Sequence, residues 1–182
     1  SLLLGFVLLL FSNVYNLILS LLIFVFWDFL YNDKPYEWKK NPFLGPFCNL
    51  VVCLLLLLSG WTFIASNGSY FFTFNEVINF TFFIKIFPYL LIYLAVVLIT
   101  DIPDIKGDKD SQKDTFTLKF GKRNTMLISL ILVVLSFFIS LYLADPLACV
   151  SIICSIPFFF YGLFRGLNKD ILRSIRYPIF IL

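Results

Sequence analysis

The chain has 182 residues, of which 60% are hydrophobic and 14% are charged, and its mean hydropathy is +0.95. A soluble domain is about half apolar and about one quarter charged, so this composition excludes an ordinary soluble domain and indicates a polytopic membrane protein. The net charge of +3 gives no indication of nucleic-acid binding. Histidine is absent, which excludes a Ser-His-Asp triad, a Cys-His dyad and every histidine-ligated metal site.

Long apolar runs divide the chain into membrane spans, since a helix needs roughly 20 apolar residues to cross the hydrocarbon core. Residues 1–11 resemble the tail of a first span, and a seventh span begins near Leu182. The five spans between them are predicted at about 17–31, 43–65, 78–100, 125–143 and 147–164. Lipid leaves only helices or closed barrels as spanning structures, and these runs lack the alternation of barrel strands. We therefore predict an all-α transmembrane bundle, a single domain over residues 1–182 that is truncated at both ends.

The basic residues test this division, because alternate connections must lie on opposite sides of the membrane. The connections 32–42, 101–124 and 165–176 should share one side, and they carry three, six and four Lys or Arg residues. They therefore hold 13 of the 14 basic residues of the chain, and Lys85 is the exception. The positive-inside rule predicts that these three connections are cytoplasmic. We expect a multi-pass protein of a bacterial inner membrane.

The connection after the fourth span is rich in carboxylates. It contains five of the eleven acidic residues, namely Asp101, Asp104, Asp108, Asp110 and Asp114. The first three follow one another at i, i+3 and i+7, so a helical continuation would place them on one face, although Pro103 and Gly107 predict a bend or interruption. Clustered carboxylates repel one another unless lysines or a hard cation such as Mg²⁺ neutralise them. A solvated acidic loop is the alternative interpretation of this charge run.

The residue order of this connection favours the functional interpretation. Residues 101–108 read Asp-Ile-Pro-Asp-Ile-Lys-Gly-Asp, and they are followed by Lys-Asp-Thr-Phe at 113–116 and Leu-Lys-Phe-Gly at 118–121. This pattern resembles the second aspartate-rich motif, and the block after it, of the UbiA family of intramembrane prenyltransferases. The residue sequence of the motif is most similar to that of the homogentisate-type aromatic prenyltransferases. The connection after the second span, with Tyr31, Pro35 and the segment 38–44, also resembles a family segment.

The resemblance implies a fold, a reaction and a set of site residues. Asp101, Asp104 and Asp108 would be the catalytic residues and Mg²⁺ ligands, and Lys39 and Lys113 would bind the diphosphate. The substrates would be a prenyl diphosphate and an aromatic acceptor, with the prenyl tail in the bundle and membrane lipid around it. Without the resemblance, Lys39 would be read as a juxtamembrane lysine on anionic lipid headgroups.

One part of the family pattern is missing. The family has a first aspartate-rich motif of the form Asn-x-x-x-Asp-x-x-x-Asp, and nothing in the sequence matches it. We expect this motif upstream of Ser1, so these residues would hold half of a metal site and would be inactive by themselves.

Other functions remain open from the sequence alone. Within the same class, the acceptor could be a lipid glycerol phosphate, a tetrapyrrole or a carotenoid end. A transporter with an acidic mouth and a non-catalytic membrane scaffold are the alternatives of different class. The predicted spans offer a transporter little water-facing polarity and no paired discontinuous helices. Another aspartate-rich motif upstream, in the full-length sequence, would favour the enzyme.

Overall fold

The computed structural model describes residues 14–65, 79–166 and 168–179, and over these residues it contains helices and no strands. The helices are α1 (Val14–Asn32, π-helical from Val25), α2 (Leu44–Ala65), α3 (Phe80–Thr100), α4 (Ile105–Asp110), α5 (Phe116–Phe120), α6 (Lys122–Tyr142), α7 (Pro146–Arg165) and α8 (Asn168–Ile179). A 3₁₀ turn at Trp38–Lys40 lies between α1 and α2.

Five of the described helices, α1, α2, α3, α6 and α7, are long and apolar enough to cross a membrane. Their bounds agree with the five complete spans predicted from the sequence to within a few residues at each end. The prediction of an all-α transmembrane bundle is therefore confirmed. The predicted first span at 1–11 and the turn at 66–69 lie outside the described residues.

The predicted connections differ from the structure in two places. The segment 165–176 was predicted to be a loop, but most of it belongs to α8, on which Ile171 and Ser174 are fully buried. These two residues are three apart and share a helix face, while the basic side chains occupy the other faces. The acidic connection 101–124 is also not a continuous loop, because it contains α4 and α5 and α6 already begins at Lys122.

Small side chains bring the central helices together. On α6, Ser129, Val133, Ser136 and Ser140 follow at spacings of four, three and four residues, and all are fully buried. The Ser136 hydroxyl donates to the Pro88 carbonyl oxygen of α3 at 2.8 Å. Small residues allow helix backbones to approach closely in lipid, where van der Waals packing and interhelical hydrogen bonds drive association.

A second interhelical contact joins α1 to α2. The Asn16 Oδ1 atom accepts hydrogen bonds from the Ser59 hydroxyl at 3.0 Å and from the Thr62 hydroxyl at 2.7 Å. These bonds satisfy a buried amide oxygen that would otherwise lack a partner among apolar helices.

The three basic connections meet at one end of the bundle, as the division into spans predicts. The Asp114 backbone N–H donates to the Lys40 carbonyl oxygen at 3.1 Å, which ties the acidic connection to the connection between α1 and α2. The Lys122 ammonium donates to the Gly166 carbonyl oxygen, which ties it to the turn before α8. Phe43, just before α2, packs edge-on against Phe116 and Phe120 of α5 and so also joins these two connections. These contacts assemble the candidate site.

Candidate active site

The acidic segment turns sharply as it leaves the membrane helix. α3 ends at Thr100, and Pro103 stands in the turn before α4 begins at Ile105. Proline has no N–H to donate and its ring opposes a continuing helix, which explains the break that its position predicts. Gly107, by contrast, lies inside α4 and does not interrupt it.

This break gives the three aspartates different surroundings. Asp101 is half-buried at the end of α3, Asp104 is exposed in the turn, and Asp108 is buried on α4. They do not share one continuous helix face. Within the described residues, no group of three or more His, Cys, Asp or Glu side chains is placed to hold a metal ion together.

Asp108 is held by a lysine of the same segment. Its Oδ1 atom lies 2.8 Å from Lys113 Nζ, and the Lys113 backbone N–H donates to the Asp108 carbonyl oxygen at 3.0 Å. The hydrogen bond with Asp108 raises the pKa of Lys113, so the ammonium stays charged. Lys113 is therefore engaged with a carboxylate, and the structure does not bring it into the cavity described below.

Asp101 lies in a less favourable environment for a charge. Burial, and then the neighbouring Asp108 and Asp104 carboxylates, raise the pKa of Asp101 to about 6, against the opposing effect of Lys113. A carboxylate that is partly desolvated beside like charges gains much from a cation. This is the environment in which a divalent metal would be stabilising.

Asp101 lines a cavity of about 210 Å³ at this end of the bundle. Lys39, from the 3₁₀ turn between α1 and α2, lines the same cavity, and its ammonium donates to the Asn32 Oδ1 atom at 3.2 Å. Asp101 and Lys39 are far apart in sequence, and both were predicted site residues. The structure places these two residues around the same cavity. Asp104, Asp108 and Lys113 follow Asp101 closely in the sequence but do not line the cavity.

Six further polar residues line the cavity, namely Tyr31, Asn41, Asn49, Tyr93, Thr100 and Thr115. Tyr31 comes from α1, Asn49 from α2 and Tyr93 from α3. Tyr31 belongs to the segment that resembles a family motif, whereas Asn49 carries no sequence signal beyond being an amide within a predicted span. Tyr93 was missed, although its spacing of eight residues from Asp101 places it on the same face of α3.

The donors around Asp101 suit Mg²⁺ rather than a softer metal. Mg²⁺ prefers oxygen ligands, and it is usually bound by one or two carboxylates together with substrate phosphates and waters. Asp101 in the cavity and the exposed Asp104 three residues later meet that requirement without a third carboxylate. The residues present therefore fit the metal that the sequence predicts.

An apolar helix bundle with a carboxylate and a lysine in a cavity at one end defines an integral, multi-pass membrane protein with a polar site close to the membrane surface. The chain belongs to the UbiA prenyltransferase family, whose sequence model matches residues 1–177. This match confirms the resemblance found in the sequence.

The chain is also similar, at low identity, to curated prenyl-transferring enzymes. The chain is 28% identical over 111 residues to a chloroplastic 2-acylphloroglucinol 4-prenyltransferase of Humulus lupulus, a match that covers 59% of this chain and 25% of the relative. It is 24% identical over 140 residues to the digeranylgeranylglyceryl phosphate synthase of Methanosphaera stadtmanae, covering 77% of this chain and 44% of the relative. The chain thus spans less than half the length of these relatives. No solved structure matches it.

Proposed function

We propose that the protein containing this chain is a Mg²⁺-dependent prenyltransferase. It transfers a prenyl group from a prenyl diphosphate to an aromatic acceptor, such as a quinone or tocopherol precursor. The observation that carries this proposal is the meeting of Lys39 and Asp101 in one cavity at the end of an apolar bundle. A lysine and a metal-binding carboxylate suit a diphosphate, while the apolar helices suit a prenyl tail. Family membership and the name of the hop relative support the same reaction.

The chain's residues would divide the work by position. Lys39 would neutralise diphosphate oxygens from the mouth of the cavity, and Asp101 and Asp104 would hold Mg²⁺, which supplies positive charge to the departing diphosphate. The carbon–oxygen bond of the prenyl diphosphate breaks and its electron pair leaves with the diphosphate. A ring carbon of the acceptor then bonds to the allylic carbon, and the ring passes its proton to the released diphosphate. The Lys113 and Asp108 pair would fix the segment that carries Asp104.

The proposal includes an orientation. The end of the bundle that holds the cavity would face the cytoplasm of a bacterium, where soluble diphosphates are available. The concentration of 13 of 14 basic residues in connections at this end supports that orientation through the positive-inside rule.

The test uses the full-length parent in membranes, with Mg²⁺, labelled geranylgeranyl or phytyl diphosphate and a panel of phenolic acceptors. Asp104→Asn removes an exposed charge, so we expect the protein level to be unchanged and Mg²⁺-dependent prenylation to fall at least about 100-fold. Asp110→Asn is the matched control, because Asp110 is an exposed carboxylate at the end of α4 and does not line the cavity. Equal activity of the two variants would contradict the assignment, as would wild-type membranes that neither bind nor turn over any prenyl diphosphate.

A further inference from the structure

The cavity has a charged mouth and a neutral floor. Lys39 and Asp101 lie at the membrane surface, where α3 ends and α2 is about to begin. Asn49 lies four residues beyond Gly45 on α2, which is about 6 Å deeper along the helix. Tyr93 precedes Asp101 by eight residues on α3, which is about 12 Å deeper. The two polar side chains therefore line the cavity within the membrane.

Both floor residues have hydrogen-bonding capacity left over. Asn49 is buried, and its Nδ2 atom donates to the Gly45 carbonyl oxygen of its own helix at 3.0 Å. Over residues 14–65, 79–166 and 168–179, no protein group donates to Asn49 Oδ1, and none is hydrogen-bonded to the Tyr93 hydroxyl. Polar groups at membrane depth are costly unless they find a partner, and such residues commonly mark ligand sites.

The floor suits a neutral oxygen better than an anion. Lys39 is the one basic residue among the described residues that line the cavity, and it lies at the mouth. A phosphate at the depth of Tyr93 would therefore lack a counter-charge in a medium of low dielectric. An amide and a phenol can instead hydrogen-bond a hydroxyl or carbonyl oxygen, as donor or as acceptor.

The volume of the cavity also suits one ring. An engineered apolar cavity of about 150 Å³ takes up benzene. The cavity of about 210 Å³ is therefore large enough for one substituted aromatic ring, before any volume that a diphosphate at its mouth would take.

We propose that Asn49 and Tyr93 form the acceptor subsite and bind the hydroxyl or carbonyl oxygen of an uncharged phenolic ring. This inference rests on the proposed function, and it selects a neutral ring acceptor over a lipid glycerol phosphate. Asn49 is the specificity-determining residue, since its amide can both donate to and accept from the acceptor oxygen. A site built to hydrogen-bond an oxygen discriminates against ligands that lack it, because its own polar groups are then left without partners.

The test measures binding, so it does not depend on turnover. Membranes with the full-length parent are loaded with Mg²⁺ and geranyl thiodiphosphate, a poorly reactive analogue, and the dissociation constant of a labelled acylphloroglucinol is measured by equilibrium dialysis. Asn49→Leu keeps the size of the side chain and should weaken phenol binding about tenfold. Tyr93→Phe removes only a hydroxyl and should weaken it several-fold.

Asn124→Leu is the control, because the Asn124 amide makes the same bond to the carbonyl oxygen four residues earlier, at 3.0 Å, but does not line the cavity. It should leave phenol binding unchanged. Affinity for geranyl thiodiphosphate should be the same in all variants.

The other outcomes overturn the inference. Unchanged phenol binding in Asn49→Leu would show that the amide has only its structural bond to Gly45. Loss of thiodiphosphate binding in Asn49→Leu would show that Asn49 contributes to the diphosphate site or to the stability of the fold. Wild-type membranes that bind the thiodiphosphate but not the phenol, or that bind geranylgeranylglyceryl phosphate instead, would refute the acceptor subsite and leave the prenyl-diphosphate site standing. Failure to bind the thiodiphosphate at all would contradict the proposed function itself.

Discussion

The ion pair between Lys113 and Asp108 should respond asymmetrically to mutation. The two groups lie 2.8 Å apart, but the Asp108 side chain is 8% exposed and the Lys113 side chain is 34% exposed. Lys113→Met would leave a buried carboxylate without its cation. Asp108→Asn would leave an ammonium that already reaches water. We therefore expect Lys113→Met to be the more damaging change.

The magnitudes follow from the exposure of each partner. Removing one partner of a fully buried pair costs about 3–5 kcal/mol, whereas an exposed pair is worth about 0–1 kcal/mol. Because the lysine is partly screened by solvent, we expect Lys113→Met to cost about 2 kcal/mol and Asp108→Asn about 1 kcal/mol. The double variant should cost less than the sum, since it leaves no buried charge.

The assay is reversible unfolding of the purified full-length protein in mixed micelles, with the free energy of unfolding measured for the wild type, both single variants and the double variant. Lys106→Met is the control, because Lys106 is an exposed lysine on α4 that forms no ion pair with the described residues. Equal costs for the two single variants, or strict additivity in the double variant, would refute the asymmetry argued from burial.

Two further predictions concern stability. Because burial and the neighbouring carboxylates raise the pKa of Asp101 to about 6, above its ordinary value of 3.8, the folded state binds more protons than the unfolded state between those values. Without metal, the free energy of unfolding should therefore rise as pH falls from 7 towards 4, by up to about 1.4 kcal/mol per pH unit. The Asp101→Asn variant should lack this rise. A wild-type pH profile that matches the variant's profile would contradict the burial of this carboxylate. A Cβ atom on Gly162 would lie 2.5 Å from Met126 Cε in the core, so Gly162→Val should destabilise the bundle by about 1–3 kcal/mol in the same unfolding assay. Met126→Ala should recover part of that loss, and a double variant that is additive would show that the two residues do not compete for space.

Sequence patterns predicted the fold well where a single property decided the outcome. Hydropathy located the five long helices, because a membrane span requires an unbroken apolar run of fixed length. It failed at α8, where basic residues lower the local hydropathy although Ile171 and Ser174 face the core. Periodicity, rather than mean hydropathy, would have found this helix.

For the site, the residue types at 101–108 and Lys39 could be identified from the resemblance, but their surroundings could not. Three aspartates in one motif gave no sign that Asp108 is buried with Lys113, that Asp104 is exposed, or that Asp101 lines a cavity. These differences arise because Pro103 ends α3 and α4 starts in a new direction. A local pattern does not specify that direction.

The sequence by itself determined the class, the membrane spans and the family, because hydropathy, charge placement and motif spacing are local properties of the chain. Only the tertiary structure decided which distant residues meet. Lys39, Asn49, Tyr93 and Asp101 come from three separate segments, and the packing of α2 against α3 places them around one cavity. The depth of each polar group below the membrane surface follows from that packing, and this depth separates a charged mouth from a floor suited to a neutral acceptor.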